Sequence, residues 1–465
     1  MSAQQAGQLL LLEAESLYCP DAGGVIDGGV TVAIRDGRIL WRGRREALPA
    51  ELHRNQEAAT TVEFGSSTML APGLVDLHCH CDPTGGEISR YGVDPDEVYL
   101  PRGVTTILSQ GDAGADTWEA YARATGGCRT RCLMAMNLLR AGELPSYFEG
   151  RKGGEDLVDF DVAACVATMR AGGQAVWGVD INTGHNHGPT HELREAAARA
   201  VAAAEATGTN SLFGMRRPTD GWSFAQQLSM LREGDVVTCE CEIPCTPCNP
   251  TQSTNPLWCR GKPGADIYRG PPIGPHDITA SDGVMLESGG PVHPAFFEAR
   301  QRGVIFDVGY GGTAFNFAVA EAAISQGFLP DTISSDMHSQ VDHARLQPSG
   351  TTGHARHDLL RTMAKLEAAG MPRLDVLRAV TATPAKVLGL TGEIGTLLPG
   401  ACADVVALDL RHDPNGCALQ DRAEPPNRRW VSGYYEPVCV VRAGEIVKGG
   451  GDSSGCVTEA SAAKL

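Results

Sequence analysis

The sequence has little positive charge and lacks any long hydrophobic run. Its 39 lysine and arginine residues stand against 56 aspartate and glutamate residues, which gives a formal net charge of −17. A surface this acidic would repel nucleic acid and anionic membranes, so we expect neither as a partner. The apolar run Leu9–Leu12 is far too short to span a bilayer, and it lacks the basic flank of a signal peptide. These features predict a cytoplasmic globular protein.

The 15 cysteines are odd in number and scattered, and without a secretory signal we expect mostly reduced thiols. Five of them crowd into one region: Cys239, Cys241, Cys245, Cys248 and Cys259. Cys245 and Cys248 have the spacing of a zinc knuckle, but a second such pair is missing, so free thiols are favoured over structural zinc. The segment from Pro244 to Pro275 is long for a loop, which predicts a lid over a functional site.

Both ends of the chain carry β-type patterns. Gly28–Ile34 and Gly37–Trp41 are typical of a hairpin that turns at Asp36 and Gly37. Near the other end, Ala403–Leu408 and Val438–Arg442 are strand-like. We therefore predict a small β-sandwich domain assembled from residues 1–70 and 391–465, flanking a core of residues 71–390.

Within this core, apolar strand candidates alternate with helical stretches, which indicates parallel βαβ units. The candidates are Leu74–His78, Val104–Ser109, Cys132–Met136, Ala175–Ile181, Ser211–Met215, Val236–Cys239, Val304–Val308 and Thr332–Asp336. Eight is the number of strands that closes a (β/α)8 TIM-like barrel. We predict an α/β fold of this kind, with an open doubly wound sheet as the alternative that counting alone leaves open.

His78 and His80 form the clearest chemical motif. They are separated by one residue at the end of the first strand candidate, so their side chains share a face. The carboxyl end of a barrel strand is where active sites form, and imidazole is a common ligand of divalent metals. A bare pair of this spacing is also common in solvent-exposed loops, but its position behind an apolar strand favours a metal site.

Asp336 ends the eighth strand candidate and forms the second motif. An aspartate there can bind a metal and take a proton from water that the metal has acidified. The simpler interpretation is a helix cap. Its pairing with the two histidines across the barrel favours the metal site.

Several segments together resemble the amidohydrolase superfamily, in its deacetylase and dihydroorotase-like branch. They are Pro72–His80, Gly103–Thr106, Gly303–Gly309, Gln326–Asp336 and Thr381–Asp404. The resemblance spans nearly the whole chain. It implies metal-activated water attacking an amide-like or ring carbon, with the aspartate of the eighth strand moving the proton, and it implies a homo-oligomer.

The chain departs from the ligand set of that branch, which has a carboxylated lysine on strand four and histidines on strands five and six. Asp180 stands at the lysine position, Leu212–Arg216 contains no histidine, and Cys239 stands where the second histidine is expected. His185 and His187 follow strand four and are candidate replacements. We therefore predict a single metal site rather than a bridged pair, although these replacements could equally be loop or buried structural residues.

The resulting prediction is a metal-dependent hydrolase of a non-peptide C–N bond in a small molecule: an N-acyl amine, urea, carbamate or thiocarbamate. The predicted metal ligands are His78, His80, Asp180, His187 and Asp336, with Asp336 also as general acid and base. The predicted substrate contacts are His185, Arg216 and His338. Zinc is the first choice of metal, with cobalt, manganese or iron as alternatives. The competing functions are a heterocycle deaminase with a mononuclear site and a catalytically silent scaffold.

Overall fold

The computed structural model describes residues 7–54, 59–144, 157–183, 190–215, 222–238, 291–309, 315–339, 358–420, 427–448 and 457–458. These residues form two sheets and the helices that cover them. No helix among these residues is long and apolar enough to cross a membrane.

One sheet has nine strands contributed by both ends of the chain. Its strands are β1 (Leu10–Cys19), β2 (Gly24–Arg35), β3 (Arg38–Arg44), β4 (Thr60–Glu63), β5 (Thr68–Pro72), β14 (Val405–Gln420), β15 (Arg428–Arg442), β16 (Glu445–Lys448) and β17 (Val457–Thr458). β2 and β3 are the predicted hairpin, and its turn residues Asp36 and Gly37 both have positive φ, as the tight turn requires. The β14–β5 pairing joins the two ends of the chain, which confirms that both termini build this sheet.

The second sheet contains the eight predicted core strands, and all of them pair in parallel in chain order. They are β6 (Leu74–Cys79), β7 (Val104–Gln110), β8 (Arg131–Asn137), β9 (Val176–Asn182), β10 (Asn210–Gly214), β11 (Val236–Thr238), β12 (Ile305–Gly309) and β13 (Thr332–Ser334). The first and last strands meet where Cys79 bridges Met337, beyond the end of β13. The sheet is thus a nearly closed barrel, and the open-sheet alternative is wrong.

Eleven α-helices are present in the described residues. They are α1 (Ala50–Arg54), α2 (Pro95–Val98), α3 (Trp118–Thr125), α4 (Val162–Gly172), α5 (Thr190–Thr207), α6 (Phe224–Leu228), α7 (Pro294–Gln301), α8 (Phe317–Ser325), α9 (Leu359–Ala368), α10 (Arg373–Ala379) and α11 (Ala382–Val387). The alanine-rich face of α5 is fully buried in the same hydrophobic core as Val179 of β9 and Phe213 of β10. Small side chains let this helix lie close to the barrel.

The eighth strand is shorter than predicted. It ends at Ser334, so Asp336 lies two residues beyond it, in the left-handed conformation with φ of 46°. A regular strand cannot continue through such a residue, because an extended chain requires negative φ. Asp336 and His338 therefore belong to the segment that follows the strand.

Gly178 is a position where the barrel requires glycine. A Cβ atom there would lie 2.1 Å from the carbonyl oxygen of Asn210 on the neighbouring strand β10. We expect Gly178→Ala to lower the free energy of unfolding by about 1–3 kcal/mol, measured by urea denaturation, because the two strands must move apart. Gly127→Ala is the matched control, since nothing lies within 4 Å of its Cβ position. Equal stability of the two variants would contradict this close strand packing.

Candidate metal centre

His78, His80 and Asp336 meet at the carboxyl end of the barrel strands. Oδ1 of Asp336 lies 3.3 Å from Nε2 of His78 and 3.4 Å from Nε2 of His80. One ligand atom from each residue lies within 4.8 Å of the other two, and no other such group of three occurs in the part of the chain that the structure describes. The histidines are 1% and 8% exposed. The three side chains thus form a compact, largely dehydrated cluster.

Asp76 fixes the two chain segments that carry this cluster. Its carboxylate accepts hydrogen bonds from the backbone amide of His78 at 3.2 Å and from the amide and hydroxyl of Ser335 at 3.1 and 2.5 Å. The amide of Asp336 in turn donates to the carbonyl of His78 at 2.8 Å. Burial raises the pKa of Asp76 to about 7, although its hydrogen bonds oppose this rise. Asp76 therefore joins the first strand to the segment that carries Asp336.

Asp112 orients the ring of His80. Its Oδ1 lies 2.9 Å from Nδ1 of His80, and its carboxylate also accepts hydrogen bonds from Ser89, Ser109 and the backbone amide of Cys81. A carboxylate only accepts hydrogen bonds, so Nδ1 of His80 is the donor. Nε2 of His80 is then the atom that faces Asp336. A carboxylate that accepts a hydrogen bond from the other ring nitrogen is the usual support of a metal-binding histidine.

The ring of His78 contacts the opposite side of the barrel. Its Nδ1 lies 2.5 Å from the hydroxyl of Thr238, the last residue of β11. That hydroxyl donates to Oδ2 of Asp307 on β12 at 3.0 Å. Asp307 also accepts hydrogen bonds from the hydroxyls of Thr332 and Ser334 on β13. Strands six, seven and eight therefore all contribute to a polar network under His78.

The electrostatics of the cluster favour a cation. Burial acts to raise the pKa of Asp336, but His78 and His80 outweigh it and hold the pKa well below the usual range. Burial acts to lower the pKa of His80, but Asp112 and Asp336 outweigh it and raise that pKa well above 6.5. Negative charge is thus concentrated on Asp336 beside two imidazoles. The same negative field that raises the pKa of His80 attracts a metal ion.

The donor set itself fits a divalent metal. Two imidazole nitrogens and one carboxylate oxygen are ligands that zinc and other first-row metals accept. Each histidine also has a hydrogen-bond partner on Nδ1, which leaves Nε2 toward the shared position. His78, His80 and Asp336 could therefore hold one ion between them.

The structure places the other predicted site residues as follows. Asp180 on β9 is 2% exposed but is not part of the three-residue group. Burial and then the charge of Glu143 raise its pKa well above 3.8, and its Oδ1 has no hydrogen-bond partner among the described residues. His338 is buried, with its ring centre 6.0 Å from that of His80.

His185, His187, Arg216 and the cysteine group Cys239–Cys259 lie outside the described residues, as does the predicted lid. Asp76, Asp112, Thr238 and Asp307 were not predicted from the sequence. For the three aspartates the available signal was their position within or just after an apolar strand, whereas Thr238 offered no such signal.

Comparison with known proteins agrees with this fold. The sequence model of the amidohydrolase family matches residues 314–447. A protein of Brucella anthropi named deacetylase is 26% identical over 433 residues, which are 88% of this chain and 86% of that protein. The structure resembles that of a dihydroorotase with a TM-score of 0.68 at 23% identity, covering 95% of this chain and 99% of that one. An adenine deaminase has the same TM-score at 20% identity, covering 94% of this chain and 98% of that one.

The family model matches a segment that follows the seventh strand. The Brucella anthropi relative and the two solved structures each align with nearly the whole chain. The chain is similar to the amidohydrolase superfamily by sequence over residues 314–447 and by fold over nearly its whole length, and these likenesses indicate hydrolysis of carbon–nitrogen bonds other than peptide bonds.

Proposed function

We propose that this protein hydrolyses the amide bond of a small N-acyl amine at a single divalent metal held by His78, His80 and Asp336. Ureas, carbamates and thiocarbamates present the same carbonyl beside nitrogen and form the rest of the proposed substrate class. The observation that carries the proposal is the convergence of the three donor atoms within 4.8 Å. A relative named deacetylase that matches 88% of the chain supports the N-acyl amine as first choice.

The donor set is suited to zinc first, with cobalt, manganese and iron as the other candidates. When bound, such an ion polarises a carbonyl oxygen and lowers the pKa of water. Asp180 and His187 remain proposed additional ligands. The buried Oδ1 of Asp180, which has no partner in the described part of the chain, supports its assignment.

Asp336 is the proposed general acid and base. It is held ionised by the neighbouring imidazoles, so its carboxylate can accept the proton of an attacking water. The same oxygen can then return that proton to the nitrogen of the departing amine, which leaves as a neutral molecule. His78 and His80 restrict the position of the carboxylate, since both Nε2 atoms contact Oδ1.

His338 is a proposed substrate contact, together with His185 and Arg216. The ring of His338 packs at 5.7 Å from that of Tyr91, and both rings lie beside His80. This aromatic and imidazole group forms one side of the cluster. A planar acyl or ureido group is the kind of substrate portion that such a surface would contact.

The proposal predicts chelator-sensitive hydrolysis. A panel of N-acyl amines, ureas and carbamates is incubated with the purified protein before and after chelation, and amine release is measured. We expect at least one compound to be cleaved, activity to vanish on chelation, and zinc or cobalt to restore it. Release of ammonia alone from a heterocycle would indicate the deaminase instead. Cleavage that persists after the metal is removed would contradict the proposed chemistry.

A further inference from the structure

The sixth strand contacts the candidate metal centre through Thr238 rather than through a histidine. Thr238 is fully buried at the end of β11, and its hydroxyl lies 2.5 Å from Nδ1 of His78. We infer that Thr238 and Asp307 position the His78 ring, with a proton on Nδ1 and with Nε2 turned toward Asp336. They act through His78, so they are positioning residues.

The direction of the hydrogen bonds follows from counting donors. A threonine hydroxyl has one hydrogen to donate, and its oxygen can accept. The carboxylate of Asp307 can only accept, and it lies 3.0 Å from the Thr238 hydroxyl. The hydroxyl hydrogen therefore points to Asp307, and the Thr238 oxygen accepts from Nδ1 of His78.

The other contacts of Asp307 keep it an acceptor. The hydroxyl of Thr332 donates to its Oδ1 at 2.7 Å, and the hydroxyl of Ser334 donates to its Oδ2. Burial raises the pKa of Asp307, and the three hydroxyl donors directed at its carboxylate act against that rise, because they stabilise the charged, accepting form. This fixes the direction of the hydrogen-bond chain from His78 through Thr238 to Asp307.

The consequence for His78 is a defined ring orientation. A metal-binding histidine is held by the partner of its second nitrogen, and loss of that partner typically costs about 10–100-fold in metal affinity. His80 has a charged partner in Asp112, whereas His78 reaches the carboxylate of Asp307 through one hydroxyl. The effect of Thr238 and Asp307 on metal affinity rests on the proposed metal site, whereas their effect on the orientation of the His78 ring does not depend on a metal.

The orientation can be tested without metal. In metal-free protein carrying ¹⁵N-labelled histidine, nitrogen chemical shifts report whether Nδ1 of His78 bears a proton, with His78→Gln identifying the signal. We expect a protonated Nδ1 in the unsubstituted protein, and a smaller protonated fraction in Thr238→Val. An unprotonated Nδ1, with the proton on Nε2 alone, would overturn the inference, because Thr238 would then be the donor.

Metal affinity provides the second readout, by competition between the protein and a chromogenic zinc chelator. Thr238→Val should lose about 10–100-fold in affinity, and Thr238→Ser should retain it because the hydroxyl remains. Thr106→Val is the matched control: Thr106 is also fully buried on a barrel strand, but its hydroxyl has no hydrogen-bond partner in the described residues. Equal zinc affinity of Thr238→Val and Thr106→Val would overturn the role of Thr238 in metal binding.

The two readouts also separate this inference from the proposed function. A protonated Nδ1 of His78 in a protein that binds no zinc would refute the proposed metal site and leave the inferred orientation of the His78 ring standing.

Discussion

Asp336→Asn should lower turnover by about 10²–10⁴-fold, the range expected for loss of a general acid and base. The amide of asparagine can still place an oxygen near His78 and His80, so most of the metal should remain bound. It cannot take a proton from water or return one to the leaving amine. The effect should therefore appear in kcat, measured with the metal content of the sample determined in parallel.

The backbone makes this substitution unusually well suited as a test. Asp336 has φ of 46°, and asparagine is among the few residues that adopt this left-handed conformation readily. Asp36 has φ of 50° in the exposed β2–β3 turn, so Asp36→Asn makes the same change in the same conformation far from the barrel mouth. The control should have unchanged kcat. Near-normal turnover in Asp336→Asn would remove this residue from the proton transfer.

The double substitution of His78 and His80 by asparagine should abolish metal binding and reduce hydrolysis by at least about 10³-fold. The substitution removes two of the three converging ligands. Polarisation of the carbonyl by a metal lowers the activation barrier by several kcal/mol, and each 1.4 kcal/mol or so of barrier changes the rate about tenfold. A control must show that replacing a histidine outside the site has no effect on metal binding or hydrolysis. His53→Asn provides it, because His53 is exposed on α1.

The outcome is read from activity at a saturating concentration of added zinc. If the double variant regains activity under these conditions, the histidines contribute to affinity but are not required for the chemistry. Activity that never falls would show that hydrolysis takes place elsewhere on the molecule.

The barrel and the three converging residues could be predicted because each leaves a local signal. Every core strand is a short apolar run that the sequence displays directly, and all eight are present. The spacing of His78 and His80 at a strand end predicted these two ligands. The position of Asp336 after the last strand predicted the third. The end of β13 was predicted two residues too late because the run of small polar residues before Asp336 does not reveal its left-handed backbone.

The residues that support the cluster could not be predicted in the same way. Asp112 lies 32 positions from His80 and follows a different strand, so only the parallel arrangement of β6 and β7 brings them together. Thr238 is 160 positions from His78 and contacts it from the far side of the barrel. Such pairs depend on barrel closure and on side-chain direction, which a single sequence does not encode locally.

The central claim is a single metal site built on His78, His80 and Asp336, and metal analysis of the purified protein tests it most directly. Elemental analysis against protein concentration should give about one ion per chain, as for a mononuclear site. The double histidine variant should contain none, and His53→Asn should match the unsubstituted protein. Two tightly bound ions per chain, or an ion retained after both histidines are replaced, would contradict the account.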